Sequence, residues 1–387
     1  MGDLMEMEAL VSWFSQIAAN PAKSMERWKT STGRPVIGCL MCMPPYVPEE
    51  IIDASGALPA AIWGTGIPIR QSDTLQQSFT CSIARSALEL GMAGGLDLCD
   101  GIVVPSTCDA FQNLSEIWRT AMPGRFHHDV VFPTFHDRAS ALPYLTGELK
   151  KLARALESVT GSAIHGDALR SGIRRVSAVR SLFRKLYDAR RANPGALSTR
   201  ALYEIVMASS MADRGEVSER LAKLVHFLEE QAEEGPSTGL SVMLAGVGPR
   251  PWGILDILED LGVSVVDDDL GLGRMYTAPV IDDAGADPID TLARALLDCS
   301  PVSTIHDGRK DRAEHIAERA KASGARAVIL NILKFCEPEF FEYPDLKRSL
   351  AEAGIPLLML ETELQTHSIE GLRTRLGAFV ETLGGGA

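Results

Sequence analysis

Apolar residues change their spacing several times along this chain, and the changes mark its elements. Residues 7–30 carry apolar positions at helical spacing, which predicts one amphipathic helix. A short apolar run at 35–40 predicts the first strand. Pro48-Glu49-Glu50-Ile51-Ile52 reads as a helix opening, with proline in the first turn and acids at the positive end of the helix dipole. Residues 58–63 read as a second strand, 80–90 as a helix, 101–105 as a short apolar strand and 109–120 as a helix. Strands alternating with helices imply a parallel sheet.

From about 142 to 234 the pattern is almost wholly helical, with one break at Asn193-Pro194-Gly195. The period shifts back at 239–246, where LSVMLAG reads as a buried strand ahead of a helix at 251–261. Further strands are expected at 263–266, 326–333 and 355–360, with helices at 309–323 and 368–383. The expected fold class is α/β: two Rossmann-like or flavodoxin-like parallel-sheet domains with a helical insert between them. The expected boundaries are 1–141 for an N-terminal helix and first α/β domain, 142–238 for the helical segment and 239–387 for the second α/β domain. No short repeat stands out, but the order of elements in the two halves leaves room for a distant duplication.

Composition narrows the partners. A chain of 387 residues exceeds one ordinary core, and 45% hydrophobic with 23% charged residues is globular usage. The net charge of −13 disfavours nucleic acid, which needs a basic face. The N-terminus places acids ahead of its apolar stretch, unlike a secretory signal, and no apolar run is long enough for a membrane span. A cytoplasmic location without a membrane partner is therefore expected. Seven cysteines in such a chain suggest thiolate chemistry or simple burial rather than disulfides.

In open parallel sheets, ligands gather beyond the carboxyl ends of the strands. Cys108 lies just past the strand ending at Pro105, and Cys336 just past the strand ending near Leu333, in KFCEPEF. Cys81 opens a helix, where backbone N–H groups and the helix dipole favour a thiolate. Three convergent thiolates suit an iron–sulfur cluster or zinc, and three protein ligands to a cluster leave one metal open. Buried, unreactive cysteine is the competing reading for each residue. Cys39 and Cys42, in CLMC at the end of the first strand, are candidates for extra ligands or a redox pair, with packing the preferred role because Met43-Pro44-Pro45 forbids an immediate helix. Cys99 and Cys299 read as structural.

Other motifs are weaker. No GxxxxGK[ST] occurs, so no phosphate-binding loop of that type is expected. AGVGPRPWG at 245–253 follows a strand without GxGxxG spacing and suits a backbone loop approaching some ligand. His127-His128 reads as a turn ahead of a strand. Residues 165–195 hold eight basic residues, from Arg170 to Arg191, against two acids. They read as a solvated helix face or as a docking surface for a partner subunit or coenzyme A phosphates. Asp267-Asp268-Asp269, Glu361 and Glu363 close strands, where carboxylates serve as acid, base, turn or cap.

With these residues placed, the chain resembles the family uniting class I benzoyl-CoA reductases with 2-hydroxyacyl-CoA dehydratases, over nearly its whole length. The segments that carry the resemblance are MPPYVPEEIIDASGALP (43–59), QSFTCSIARSALELG (77–91), DGIVVPSTCDAFQNLSEIW (100–118), VVDDD (265–269) and LKFCEPEFFEYPDLKRSLAEAGIPLLMLETE (333–363). The resemblance implies a 4Fe-4S cluster on Cys81, Cys108 and Cys336, from the FTC, STCD and KFCEP contexts. Within the family, QSFTCSIARSALELG and NLSEIWRTAMPGRF are most similar to the smaller cluster-carrying subunit of benzoyl-CoA reductase. The CLMC segment departs from that subunit and leaves open a double-cubane cluster with more thiolate ligands, from Cys39 and Cys42. The implied partners are a related cluster-carrying sister subunit, ATPase electron-activating subunits that alone bind ATP, and an acyl-CoA substrate. The implied reaction is ATP-dependent reductive dearomatisation of an aromatic acyl-CoA; the alternatives are radical dehydration of a 2-hydroxyacyl-CoA and a non-catalytic electron-transfer role.

Overall fold

A computed structural model of the chain describes residues 2–41, 46–193, 195–230, 239–282, 284–366 and 368–384. The N-terminal amphipathic stretch is two helices, α1 (Gly2–Ala19) and α2 (Pro21–Thr32), not the single one expected. Pro21 has no N–H to continue α1, but its fixed φ suits the first position of a new helix. The first half then runs β1 (Val36–Leu40), α3 (Glu49–Ala54), β2 (Leu58–Ile62), α4 (Ser82–Met92), β3 (Gly101–Ser106), α5 (Asp109–Ala121) and β4 (Phe126–Val131). Its four strands are all parallel, in the order β2-β1-β3-β4. Every residue of β1 is buried, as helices on both faces of a parallel sheet require.

His127 and His128 lie inside β4, where a turn was expected. A strand at the sheet's edge tolerates polar residues, so FHHDVV lacks the apolar run that betrays a central strand.

Four helices follow: α6 (Ala141–Thr160), α7 (Gly166–Ala192), α8 (Thr199–Ser209) and α9 (Arg214–Glu230). The helical stretch therefore has breaks beyond the one expected at 193–195, including Gly161, which caps α6 at φ 68°. These helices share one apolar core with α1 and the first sheet, and that core reaches on to Leu297 in the second half.

The second half comprises β5 (Leu240–Gly246), α10 (Gly253–Asp260), β6 (Val263–Leu270), α11 (Pro288–Leu297), α12 (Arg312–Ala322), β7 (Ala327–Leu333), α13 (Glu337–Glu352), β8 (Leu357–Thr362) and α14 (Glu370–Thr382). Its parallel sheet has the order β6-β5-β7-β8, the same topology as the first. α10 and α14 cover one face, and α12 and α13 the other. The expected two-sheet α/β architecture is thus the observed one.

A buried ionic knot joins the two halves through the helices. Glu49 and Glu50, at the start of α3, are almost wholly inaccessible. Arg214 of α9 pairs with Glu49 at 3.2 Å, and Tyr276 of the second half donates to the same carboxylate at 3.1 Å. Arg180 of α7 pairs with Glu50 at 2.6 Å and donates to the Pro279 carbonyl at 3.0 Å. A charge this deep is tolerable only with its partner in place.

Arg180→Met should therefore cost about 3–5 kcal/mol by leaving Glu50 buried and unpaired. The Glu50→Gln/Arg180→Met double variant should recover much of that loss. Urea unfolding of the three proteins checks this, and a single-variant loss below about 1 kcal/mol, the range of an exposed pair, would refute it.

Candidate functional site

The three candidate cysteines share one structural role: Cys81, Cys108 and Cys336 are the N-cap residues of α4, α5 and α13. In a parallel sheet each strand's carboxyl end feeds a loop and then a helix amino end, so helix N-termini collect at one edge. Cys108 follows β3 and Cys336 follows β7, which occupy the same place in their two sheets. Phe335, immediately before Cys336, has φ 64°, the one non-glycine residue in the left-handed region among the described residues. Bulky residues avoid that region, and such strain is held where a turn is functionally constrained.

The thiols act on one another. Burial pushes the Cys336 thiol well up; Glu339 and Cys81 add to that, Cys108 adds a smaller increment, and the Glu339 N–H works against it. Burial likewise raises Cys81, against the N–H groups of Ala84 and Ile83. Without a bound cation Cys81 and Cys336 therefore stay protonated, because burial disfavours their charged forms. Among the described residues no group of three or more His, Cys, Asp and Glu side chains is placed to hold a single metal ion. Three soft sulfurs at the starts of three helices would suit the ligands of an iron–sulfur cluster.

Contacts between the halves hold the loops. The Leu364 N–H, past β8, donates to Ser82 Oγ at the start of α4 at 3.1 Å. Glu363 lies between Arg85 of α4 at 3.8 Å and Lys334, beside Cys336, at 3.6 Å. The loop ahead of Cys81 is pinned by Glu89, whose Oε2 accepts the backbone N–H groups of Arg70, Gln71 and Ser72 at 2.9, 2.7 and 2.8 Å. Gly246 ends β5 at φ 118°, and a Cβ there would meet the Asn331 carbonyl at 2.3 Å, so no other residue allows this approach. Phe79 and Phe341 are 66% and 80% exposed and Phe335 46%, leaving large apolar side chains in the segments that carry Cys81 and Cys336.

The other candidates fall elsewhere. Cys39 is fully buried within β1, its thiol pushed well up by burial and Glu49 and lowered by Arg214. Cys42 lies outside the described residues. Burial drives Cys99 and Cys299 up to about 12, which suits inert packing. The basic helix α7 is neither wholly solvated nor free: Arg180 is in the ionic knot, Arg175 pairs with Asp53, and Arg190 donates to the Val265 carbonyl at 2.6 Å. Asp267, Asp268 and Asp269 are buried anchors. Asp267 takes Arg319 at 2.6 Å, Asp268 accepts Tyr187 and Tyr203 at 2.7 and 3.1 Å, and Asp269 faces Arg312 at 3.4 Å. Sequence reading passed over Glu89 and the acid pair Glu49-Glu50 as functional supports; charged residues at apolar positions of their helices were the available signal.

The family model for 2-hydroxyglutaryl-CoA dehydratase, D-component, matches residues 44–383. The chain is 29% identical to the beta subunit of lactoyl-CoA dehydratase from Anaerotignum propionicum, covering 97% of this chain and 99% of that protein. It is 28% identical to the beta subunit of (R)-2-hydroxyglutaryl-CoA dehydratase from Acidaminococcus fermentans, over 98% and 100% of the two chains. A benzoyl-CoA reductase subunit from Thauera aromatica is also 28% identical, over 88% and 89%.

Thiols raised by burial have a consequence for the metal-free protein. Their folded pKa values lie above those of the unfolded chain, so above the ordinary thiol range the unfolded state releases protons that the folded state retains. Stability should be fully present below about pH 8.5, the free-thiol value, and fall as pH climbs toward the raised values. Thermal midpoints from about pH 7 to 10.5, which bracket that value, check this. The fall should be shallower in Cys336→Ala, and an equal fall in both proteins would refute the assignment to this thiol.

Proposed function

The chain belongs to the 2-hydroxyglutaryl-CoA dehydratase D-component family, and on that footing we propose that it is the smaller, iron–sulfur-carrying subunit of an enzyme that dehydrates a 2-hydroxyacyl-CoA thioester. The observation that carries the reading is the placing of three cysteines as caps of three helices, with thiols close enough to perturb one another. Dehydration is preferred over reduction because the dehydratase beta subunits align with 97% and 98% of the chain, while the reductase subunit aligns with 88% of it. This moves the preference away from the one the motifs suggested.

Cys81, Cys108 and Cys336 would hold a 4Fe-4S cluster as thiolates, giving up their protons on binding, with the amino ends of α4, α5 and α13 offsetting the gathered negative charge. When bound, such a cluster supplies low-potential electron chemistry and, through an iron without a protein ligand, Lewis-acid chemistry. This chain's further work is to orient the cysteine loops, through Ser82, Glu363 and Glu89, and to keep water from them. The exposed Phe79, Phe335 and Phe341 would be covered by a sister subunit, as the subunit names of its relatives suggest. ATP would be hydrolysed on separate activating subunits, and a cytoplasmic setting suits the chemistry. The described helices include none long and apolar enough to cross a membrane.

A second reading, the electron-delivering subunit of an ATP-dependent benzoyl-CoA reductase, is favoured by QSFTCSIARSALELG and NLSEIWRTAMPGRF. Anaerobic co-purification with partner subunits and parallel assays on 2-hydroxyacyl-CoA and benzoyl-CoA separate the two. Many turnovers after a single activating electron indicate the dehydratase, and ATP consumed in proportion to product indicates the reductase.

The ligand assignment is tested by iron analysis. Cys108→Ala, reconstituted anaerobically, should lose most of its bound iron and visible absorption. Full iron content in that variant would remove Cys108 from the ligand set.

A further inference from the structure

Among the described residues, most arginines in the interior are paired with carboxylates. Arg180 and Arg214 have Glu50 and Glu49, Arg274 and Arg319 have Asp267, and Arg312 has Asp269, Glu339 and Glu342. Arg190, which bonds carbonyls and Thr199, still lies in the field of Asp268. Arg85, close behind Cys81, is taken up by Asp73 and Glu363.

Among the described residues Arg250 has no such match. It lies in the glycine loop after β5, and its guanidinium donates to two backbone carbonyls of the first half, Gly64 at 2.8 Å from Nη1 and Trp63 from Nη2. Burial pulls its pKa down to about 10, with no carboxylate among the described residues acting to raise it. The loop is held in place by Asn331, at the end of the strand that leads to Cys336, whose amide donates to the Gly248 and Arg250 carbonyls at 3.0 and 2.9 Å. Arg250 also borders a cavity of about 10 Å³, room for roughly one water, together with Ile83, Leu333 and Leu364. Ile83 is two residues past Cys81, and Leu333 three before Cys336. An unmatched cation thus closes the floor of the crevice from which two of the cysteine loops rise.

A half-buried cation without an anion is costly unless something else supplies the negative charge. The thiols of the crevice supply it once they ionise on binding metal. We infer that Arg250 is a positioning residue whose guanidinium sets a positive field beneath the cysteine crevice and thereby holds the bound cluster's reduction potential up. The inference rests on the cluster reading above. Adding an electron to a cluster makes it more negative, so a nearby positive charge favours the reduced form, and removing that charge favours the oxidised one. Arg250 also clasps the two halves, and a purely structural clasp would depend on its forked hydrogen bonds and not on its charge.

The experiment is an anaerobic redox titration, followed by electron paramagnetic resonance, of reconstituted wild-type protein, Arg250→Gln and Arg250→Lys, with iron content measured for each. The expected result is a full cluster in all three, a midpoint potential shifted to more negative values in Arg250→Gln, and a value close to wild type in Arg250→Lys. An unmoved potential in Arg250→Gln, or an equal downward shift in both variants, overturns the inference. If Arg250→Gln does not fold, Arg250→Lys decides alone: folded protein with a potential shifted downward overturns it, and an unchanged potential supports it. Wild-type protein that takes up no cluster overturns the cluster reading, and this inference with it, whereas full clusters with unmoved potentials overturn only the role of Arg250.

Discussion

The pairing of Glu49 and Glu50 with Arg214 and Arg180 is the constraint on which the arrangement of this molecule depends. The two acids open a short helix in the first α/β half, the arginines come from the helical segment, and Tyr276 and the Pro279 carbonyl come from the second half. An ion pair in such a place contributes little net stability over a packed apolar pair, because both charges are desolvated. What it contributes is intolerance of error: sliding one half against the other would strand a charge in the interior. The two sheets are thereby held in one relation, and their carboxyl edges face a common crevice.

That crevice explains how residues as far apart in sequence as Cys81 and Cys336 come to act on one another. Parallel strands send their exits to one edge, so the amino ends of the following helices gather there without any local motif. Each cysteine then needs only to be the residue at which its helix begins. The cost is that Cys81 and Cys336 sit where their ionised forms are poorly solvated, and the helix ends that would favour a thiolate are outweighed there by burial.

Much of this was legible in the sequence. The strand runs LSVMLAG and AVILNIL are apolar almost throughout because both faces are covered, and Cys108 and Cys336 could be placed by where such runs stop. The misses have the opposite character. His127 and His128 sit in an edge strand whose polar residues hide its period. Arg180 and Arg190 look like part of a solvated basic face, because nothing in a helix's own sequence tells that its arginines will find Glu50 and the Val265 carbonyl 130 and 75 residues away. Long-range polar pairing leaves no periodic trace, so the ionic knot and the clamp of Glu89 on the loop before Cys81 emerge only in three dimensions.

The matching strand orders of the two halves make their differences informative. The helix before the third strand of the first sheet is capped by Cys81, and the helix before β7 in the second sheet by Asp311, whose carboxylate accepts the Ala313 and Glu314 N–H groups. One half has kept an ordinary cap where the other carries a thiol. The exits of the first strands differ in a parallel way: β1 runs on into the CLMC segment, while β5 runs into a glycine loop ending at Arg250. The site is therefore lopsided, with two capping cysteines from the first half and one from the second. The second half adds a cation, Arg250, in the glycine loop that follows β5. Were three thiolates gathered in that crevice, such a cation would offset their repulsion, which a fourth or fifth thiolate would deepen.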